Sequence, residues 1–300
     1  MSAALAVHGG TWPSGASTVV GVMGDPVAHS LSPLLHNTAF GALGLDWVSV
    51  AFRVPAGSVA DALGGMRALG IRGLSVTMPH KASVARLVQR ASDTARVLGA
   101  VNCVVVGSGA AAELFGDNTD GAGFVASLRH GARFDPAGRR AVVIGAGGAA
   151  RAVVHALGVA GAAEVVVVAR DRRRAGAAAA LAGCGRTGVA EDAASADIVV
   201  EATPVGMAGT PWQAEASLVP PALLHGAQVA ADLVYDPPVT PWLAAAAGRG
   251  ATVLGGLGML VHQAGAQVEL WTGLQAPVAA MWSAACEAAG VDPRGGTSAR

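Results

Sequence analysis

The stretch Ala141-Val-Val-Ile-Gly-Ala-Gly-Gly-Ala-Ala150 decides the fold of this chain. Its apolar, mostly β-branched start predicts a buried strand, and the alanine-rich continuation predicts a helix. A Gly-x-Gly-x-x-Ala turn between a strand and a helix is typical of a Rossmann-type dinucleotide-binding unit, in which backbone approaches a pyrophosphate at the helix N-terminus. We therefore expect a dinucleotide to contact Gly145, Ala146, Gly147, Gly148 and Ala149. The alternative is an accidental glycine-rich turn.

The rest of the chain repeats this alternation of strands and helices. β-Branched runs of strand length recur between Ala- and Leu-rich stretches of helical length, and this pattern predicts an α/β fold with parallel strands. The predicted strands are 19–23, 47–53, 73–76, 103–106, 141–144, 165–168, 198–201, 229–232 and 252–254. The predicted helices are 33–43, 59–69, 83–91, 121–130, 149–157, 173–182, 241–247 and 260–271. Because the glycine turn opens a second lobe, we divide the chain near Gly121.

The composition favours small-molecule partners. The 300 residues carry 20 basic and 20 acidic side chains, so the net charge is zero, and no long run of like charge suggests a nucleic-acid surface. No stretch reaches the roughly 18 apolar residues of a membrane span. Residues 1–17 contain no Lys or Arg, so we interpret them as an N-terminal extension rather than a signal peptide. Three cysteines without a CxxC pair fit a reducing cytoplasm, and the histidines show no metal-ligand spacing. We expect no metal, nucleic-acid or membrane partner.

The segment after the second strand of this lobe bears on the cofactor. An NAD-binding unit usually carries an acid at the strand end, whereas this chain has Ala169-Arg-Asp-Arg-Arg-Arg174. Arg170 can stack on adenine and Arg174 can add a cation one turn into the next helix, which favours the 2′-phosphate of NADP. A solvated helix start is the alternative use of these arginines, and Asp171 keeps NAD as a minority option.

Two hydroxyls precede the first predicted helix. The sequence Ser30-Leu-Ser32-Pro33 predicts Pro33 at the first helical position and Ser32 at the N-cap, with both serines on one side of an extended segment. Such hydroxyls and free backbone N–H groups can face an anion. Alternatively, Ser32 only caps its own helix.

A lysine stands in a segment that can border a cleft. Lys81 follows a strand and a proline turn, where a neighbouring lobe can lower its pKa and let it act as acid or base, although most surface lysines do not. Asn102 and Asp120 lie in segments that contain Asn and Asp, and such residues usually form turns. A turn is therefore the alternative to a ligand-binding role for these two residues.

Several segments together resemble the shikimate dehydrogenase family, and the resemblance runs from about Val19 to the last predicted helix. The matching segments are 24–37, Ser75-Val-Thr-Met-Pro-His-Lys81, Leu98-Gly-Ala-Val-Asn102, Gly116-Asp-Asn-Thr-Asp120, Glu201-Ala-Thr-Pro-Val-Gly-Met207, 232–241 and 256–263. The chain departs from the family pattern at Ser75 and Glu201, where Asn is usual, and at His80, where an aromatic residue or Gly is more common.

The resemblance implies roles for individual residues. Lys81 is implied to donate and accept the proton, with Asp120 holding the adjacent hydroxyl and orienting the ammonium. The implied substrate ligands are Ser30, Ser32, Thr77, Asn102, Tyr235 and Gln263. Further implied cofactor contacts are Thr203, Leu233, Gly256, Met259 and Asp93.

The resemblance also implies an architecture and an activity. It implies an N-terminal α/β substrate domain, residues 1–120 with helices of 257–300 packing back on it, and a C-terminal Rossmann-type domain, residues 121–256, with a cleft between them. The implied reaction is the NADP-dependent, reversible reduction of 3-dehydroshikimate to shikimate in chorismate and aromatic amino acid biosynthesis. Alternatives are a quinate or amino-shikimate dehydrogenase that uses NAD or NADP, and a non-catalytic NADP-binding sensor. The sequence leaves open whether the protein forms a homodimer.

Overall fold

The computed structural model describes residues 13–107, 113–209 and 217–293. Its contacts divide the chain into two compact units. Within the described ranges, the first unit comprises residues up to 119 together with 264–285, and the second comprises 120–263 together with the residues after 285. The chain therefore changes unit at Asp120, and again inside the helix that carries Gln263.

The first unit is built on a mixed six-stranded sheet. Its strands are β1 (Thr18–Gly24), β2 (Trp47–Arg53), β3 (Gly73–Val76), β4 (Arg90–Ala91), β5 (Cys103–Val106) and β6 (Leu114–Asp117), in the order β2-β1-β3-β5-β6-β4. Strand β1 pairs in parallel with β2 and β3, whereas β5 is antiparallel to both β3 and β6. Only residues 107–113 connect β5 to β6, which is too short for a parallel crossover. The expectation of parallel strands is therefore wrong for this part of the sheet.

The helices of the first unit are α1 (Ser32–Ala42), α2 (Val59–Ala68), α3 (Lys81–Ala85) and α4 (Asp93–Leu98). The predicted helix over 83–91 is wrong, because α3 ends at Ala85 and residues 90–91 form β4. Tertiary pairing overrides local preference here: Gln89 N donates to Leu114 O at 3.1 Å, and β4 pairs with β6 in parallel. Helix α4 and strands β4 and β6 were not predicted, since each is too short to show a clear periodicity.

The second unit is a doubly wound parallel sheet. Its strands are β7 (Arg140–Ile144), β8 (Glu164–Val168), β9 (Gly185–Thr187), β10 (Ile198–Glu201), β11 (Val229–Asp232) and β12 (Thr252–Leu254), in the order β12-β11-β10-β7-β8-β9. All of these pairings are parallel, as the sequence predicts. The order reverses between β7 and β10, where ligands bind in folds of this kind. The predicted α/β class and the Rossmann-type topology are confirmed.

Six α-helices follow the first unit's α4 in the described chain. Four of them belong to the second sheet: α5 (Asp120–Gly131), α6 (Gly148–Val159), α7 (Arg172–Ala179) and α8 (Pro241–Gly248). The last two are α9 (Leu257–Thr272) and α10 (Val278–Ala289), of which α10 was not predicted. Buried valines of the central strands, including Val143 and Val167, form the core with Val153 and Leu157 of α6. Close packing of α5 on α6 requires a glycine, because a Cβ at Gly121 would lie 2.6 Å from the carbonyl oxygen of Ala152.

Membrane-spanning helices and clusters of metal ligands are both absent from the described residues. No helix in the described ranges is long and apolar enough to cross a membrane. Across the same ranges, His, Cys, Asp and Glu side chains form no group of three that could bind a metal ion.

Candidate active site

The predicted glycine turn joins β7 to α6. Gly145 has a φ of +112°, in the region that favours glycine, and a Cβ there would lie 3.1 Å from Thr203 Cγ2 and 3.2 Å from Ala202 O. Gly147 is the N-cap of α6, and a Cβ at Gly147 or Gly148 would meet nothing within 4 Å. The first turn of α6 is therefore open, and its backbone N–H groups and positive dipole end can receive an anion.

A cavity of about 380 Å³ opens beside this turn, at the carboxyl ends of β7, β8 and β10. It brings together six of the predicted cofactor residues, Gly145, Ala146, Gly147, Arg170, Arg174 and Thr203. The rest of the lining consists of Asp171, which the sequence left as the acid of an NAD option, and of five residues that were not predicted, Ala169, Ala202, Pro204, Val205 and Leu218. Most of these unpredicted side chains are apolar and belong to no chemical motif, so only the fold could reveal their place in the wall.

The acid of this segment, Asp171, lies on the basic rim of the cavity. The Oδ1 atom of Asp171 accepts a hydrogen bond from Arg174 N at 3.0 Å, so this carboxylate is the N-cap of α7. Arg170 and Arg174 line the same cavity and are exposed. Two guanidinium groups beside a capped carboxylate suit a 2′-phosphate.

Glu201 supports the wall opposite this rim. It is fully buried at the end of β10, and its Oε1 atom accepts hydrogen bonds from Thr203 N at 3.0 Å and from Thr203 Oγ1 at 2.6 Å. Its Oε2 atom accepts a hydrogen bond from Ser217 Oγ at 2.7 Å. Burial raises the pKa of Glu201, and these hydrogen bonds partly offset that effect. The sequence singled out Glu201 as a departure from the family pattern but did not indicate Ser217 as its partner.

A second buried carboxyl group lies on the neighbouring strand. Asp232 is paired in register with Glu201, and its oxygens accept hydrogen bonds from Val234 N at 2.9 Å and Thr240 Oγ1 at 2.6 Å. Burial raises the pKa of Asp232 to about 7, and the nearby Glu201 carboxylate adds to the rise. Burial and Asp236 raise the pKa of Tyr235, the only tyrosine of the chain, which is half-buried just beyond β11.

Of the other predicted cofactor residues of the second unit, Gly148 and Ala149 begin α6, and Leu233, Gly256 and Met259 lie in the loop after β11 or near the start of α9. A Cβ at Gly256 would overlap the backbone of Leu233, so glycine is required for this close approach. Leu233 and Met259 both pack against the core cluster that Ala146 also contacts. Their positions bring the β11 loop and the start of α9 to the same core as the glycine turn.

Asp120 and Gln263 lie on two helices that pack tightly within the second unit. Asp120 is the first residue of α5 and is buried. Gln263 belongs to α9 and its Nε2 atom donates to Leu260 O at 2.9 Å. A Cβ at Gly123 would lie 2.7 Å from Gln263 N, so α5 and α9 approach closely at this point.

The two predicted serines precede α1 in the first unit, but the predicted cap is wrong. Helix α1 begins at Ser32 itself, and its N-cap is Leu31, whose side chain makes no capping hydrogen bond. Ser30 Oγ accepts a hydrogen bond from Ser32 N at 3.2 Å, so the upstream hydroxyl satisfies this N–H group and the helix starts one residue earlier than expected. Pro33 therefore takes the second helical position.

Lys81 opens α3 in a segment that the first unit holds at several points. Thr77 N donates to Met23 O at 2.9 Å, and the carbonyl oxygen of Lys81 accepts a hydrogen bond from Val101 N at 3.0 Å. The buried His80 ring places Nε2 2.7 Å from the carbonyl oxygen of Val54. This histidine, a departure from the family pattern, thus attaches the residue next to Lys81 to the end of β2.

Lys81 is also the only lysine in the chain, since every other basic residue is an arginine. Arginine stays charged at all accessible pH values, whereas a lysine can lose its proton when its pKa falls. The chain thus places its one lysine at this half-buried position, at the start of α3. This compositional signal was available in the sequence and was missed.

Asn102 holds the segment that leads to Asp120. Its Oδ1 atom accepts a hydrogen bond from Thr119 N at 2.8 Å, and its Nδ2 atom donates to Thr119 Oγ1 at 3.0 Å. Asn118 Nδ2 donates to Ala100 O at 3.0 Å. These hydrogen bonds therefore hold the Asn-Thr-Asp segment as far as Thr119, the residue before the second unit begins at Asp120.

A buried polar chain that the sequence did not indicate supports Asn102. His36 of α1 places Nδ1 3.0 Å from Ser49 Oγ and Nε2 3.2 Å from Gln267 Oε1, and Gln267 Nε2 donates to the carbonyl oxygen of Asn102 at 3.1 Å. Burial lowers the pKa of His36 to about 3, so the imidazole is neutral near pH 7. The ring also packs edge-on against Trp271, with centroids 4.8 Å apart.

Asp93 lies at the start of α4, within the first unit. Its highly exposed carboxylate pairs with Arg96 of the same helix, and Ser92 Oγ caps the helix by accepting from Ala95 N at 3.1 Å. The predicted cofactor contact of Asp93 stays a prediction.

The strand, glycine turn, helix and basic cavity define a dinucleotide-binding protein of the Rossmann class. Residues 22–104 match the family model described as shikimate dehydrogenase substrate binding domain, and residues 256–286 match the shikimate 5′-dehydrogenase C-terminal domain. The chain is 44% identical to a shikimate dehydrogenase (NADP(+)) from Moorella thermoacetica, over 94% of this chain and 97% of the relative. The chain belongs to the shikimate dehydrogenase family.

Solved structures agree with this family assignment. A crystal structure of a shikimate dehydrogenase in complex with NADP⁺ is 31% identical, has a TM-score of 0.86, and matches 93% of this chain and 98% of its own. The shikimate dehydrogenase of Thermus thermophilus, in complex with NADP(H) and shikimate, is 38% identical with a TM-score of 0.80, over 90% and 99% of the two chains.

Proposed function

We propose that this chain catalyses the NADP-dependent, reversible reduction of 3-dehydroshikimate to shikimate in chorismate and aromatic amino acid biosynthesis. The observation that carries the proposal is the single lysine of the chain, which stands in the family's Thr-x-Pro-x-Lys segment. The Rossmann-type cavity, with its open helix N-terminus and two guanidinium groups, supports the choice of NADP.

The cofactor part of the proposal assigns the dinucleotide to the second unit. The backbone of residues 145–149 holds the pyrophosphate, Arg170 and Arg174 hold the 2′-phosphate and adenine, and Thr203, Leu233, Gly256 and Met259 flank the nicotinamide half. Asp93 is retained as a further contact. When bound, NADPH supplies the hydride that reduces the ketone.

The substrate part of the proposal assigns the acid–base chemistry to Lys81. Its ammonium gives a proton to the oxygen that becomes an alkoxide, and takes it back in the oxidative direction. Asp120 accepts a hydrogen bond from the adjacent hydroxyl, and Ser30 and Ser32 bind the carboxylate so that the ring keeps one orientation. The other proposed ligands of the ring are Thr77, Asn102, Tyr235 and Gln263.

The domain roles follow from these assignments. We assign substrate binding to residues 1–120 with the helices of 257–300, and cofactor binding to residues 121–256. The three cysteines, Cys103, Cys184 and Cys286, are all free, which supports a reducing cytoplasm as the compartment. A homodimer is included as an option that sedimentation velocity would test, and no residue role depends on it.

Replacement of Lys81 tests the proposal directly. We expect Lys81→Ala to lower kcat by about 100- to 10,000-fold, because a positioned proton donor contributes about that much. Lys81→Arg should lose a similar factor, since it keeps the charge but cannot release a proton near pH 7. The measurement is NADPH oxidation with 3-dehydroshikimate, and NADP⁺ reduction with shikimate.

Arg86→Ala is the matched control, because it removes an exposed cation at the end of α3. We expect it to leave kcat within about twofold, in line with the small effects of surface substitutions. Near-normal turnover by Lys81→Ala would contradict the assigned role. Turnover of quinate in preference to shikimate, assayed with NADP and with NAD, would select the alternative enzyme, and NADPH binding without turnover would select the sensor.

A further inference from the structure

Glu201 links two segments of the cofactor cavity wall. It accepts hydrogen bonds from both the backbone N–H and the hydroxyl of Thr203, which lines the cavity. Its other oxygen accepts from Ser217, the residue before Leu218, which also lines the cavity. One carboxylate therefore holds the segment after β10 and the segment that begins at residue 217.

The contact with Thr203 also fixes the direction of its hydroxyl group. At 2.6 Å from Glu201 Oε1, the hydroxyl hydrogen of Thr203 is donated to the carboxylate. Val205 N donates to the same Thr203 oxygen at 3.3 Å. A lone pair of this oxygen, rather than its hydrogen, is thus what Thr203 can offer to a molecule in the cavity.

We propose that Glu201 is a positioning residue of the cofactor site, which acts through Thr203 by holding its hydroxyl as a hydrogen-bond acceptor for a donor group of NADPH. The inference rests on the proposed function, because it takes NADPH as the occupant of the cavity. The donor on the cofactor is a ribose hydroxyl or the carboxamide N–H group, since these are the hydrogen-bond donors of the nicotinamide half that Thr203 is proposed to flank. Glu201 does not touch the cofactor itself.

The geometry makes glutamine a rescuing substitution. In Glu201→Gln, the carbonyl oxygen can still accept both bonds from Thr203, and the amide can donate to Ser217 Oγ. Ser217 can then donate its own hydrogen to Val219 O, which lies 3.2 Å away. Alanine at position 201 removes every one of these bonds.

The test measures the dissociation constant of NADPH by calorimetry, together with KM and kcat. We expect Glu201→Ala to raise the Kd and KM for NADPH about tenfold, close to the effect of one lost hydrogen bond to a bound group. The KM for shikimate should stay within about twofold, and Glu201→Gln should stay near wild type in all of these quantities.

A double-mutant cycle tests the route through Thr203. If Glu201 acts through that hydroxyl, Thr203→Val and Glu201→Ala should each raise the Kd for NADPH. The Kd of the double variant should then be no higher than that of the single variant with the higher Kd. Additive losses would overturn the proposal. Should Glu201→Ala fail to fold, Glu201→Asp replaces it in the test, because its shorter side chain moves the carboxylate away from Thr203 by one methylene. We then expect the Kd for NADPH to rise a few-fold, since the hydrogen bonds to Thr203 are weakened.

A matched control separates positioning from general stability. Gln228 is equally buried in the second unit, at the amino end of β11, where its amide donates to Ala193 O and Ala196 O. Gln228→Ala should lower the melting temperature but leave the Kd for NADPH unchanged. If wild type fails to bind NADPH, the proposed function fails; if wild type binds and Glu201→Ala binds equally well, only the present inference fails.

Discussion

Asp232 is a carboxyl group that the fold has taken out of water. It is 1% exposed, and its pKa rises from an ordinary value of 3.8 to about 7 because burial disfavours the charged form. Between these two values the folded state binds a proton that the unfolded state has released. The contribution of Asp232 to the free energy of unfolding is therefore greatest below pH 3.8 and falls as the pH rises towards 7.

Asp232→Asn isolates this effect, because asparagine resembles the protonated acid in shape and keeps an acceptor for Val234 N. We expect the variant to match wild type in acid and to become more stable than wild type as the pH rises, by about 1.4 kcal/mol for each pH unit within that window. Urea unfolding of both proteins from about pH 4.5 to 8 measures the difference. A constant difference across this range would show that the carboxyl group does not titrate as described.

At the scale of single elements, α7 shows how one residue can cap a helix and also line the cavity. Asp171 caps the helix through Arg174 N while lining the cavity that Arg170 also lines. Asparagine would keep the cap and remove the negative charge, whereas alanine would remove both.

We expect Asp171→Ala to lower the free energy of unfolding by about 1 kcal/mol, as for other lost N-caps, and Asp171→Asn to leave it nearly unchanged. Because the carboxylate repels a 2′-phosphate, Asp171→Asn should also bind NADPH about two- to fivefold more tightly at low salt. Urea unfolding and NADPH titration measure the two effects. Weaker NADPH binding by Asp171→Asn would argue that the carboxylate contacts the ribose.

Secondary structure was predicted correctly where the local sequence pattern agreed with the tertiary contacts of the segment. The central parallel strands of the second unit, β7, β8, β10 and β11, were found because each is almost wholly buried and is mostly a continuous apolar run. The short strand β9, which is not buried, was not predicted. The failure at 83–91 arose because residues 90–91 pair with β6, a contact partner distant in sequence. In the first sheet, the short connection between β5 and β6 requires these two strands to be antiparallel, a consequence that was not drawn from the sequence. The antiparallel pairing of β3 with β5 joins strands that are distant in the chain, so only the tertiary structure shows it.

At the scale of the whole molecule, His36 joins four parts of the first unit. It links α1 to β2 through Ser49, and to α9 and the residue before β5 through Gln267. Its pKa of about 3 lies well below the ordinary 6.5, so the unfolded state takes up a proton that the folded state excludes. The stability that this neutral histidine contributes is complete above pH 6.5 and is lost as the pH falls towards 3.

His36→Phe should therefore change how stability depends on pH. At about pH 7.5 the variant should be less stable than wild type by about 1–3 kcal/mol, because Ser49 and Gln267 lose their partner. The difference should narrow by about 1.4 kcal/mol for each pH unit below about 6.5, since only wild type must exclude a proton. Urea unfolding between about pH 4.5 and 7.5 measures this, and a gap that widens in acid would contradict it.

The sequence by itself determined the class of fold, the glycine turn and the segments that carry the site, because strand and helix periodicity, glycine spacing and short motifs are local properties. It also marked Lys81, through its motif and as the sole lysine. Only the tertiary structure decided that Asp171 caps a helix, that Glu201 holds Thr203 and Ser217, and that His36 supports Asn102. These contacts join residues through space, and burial, which sets the pKa values of His36 and Asp232, is a property of the packed chain rather than of any segment.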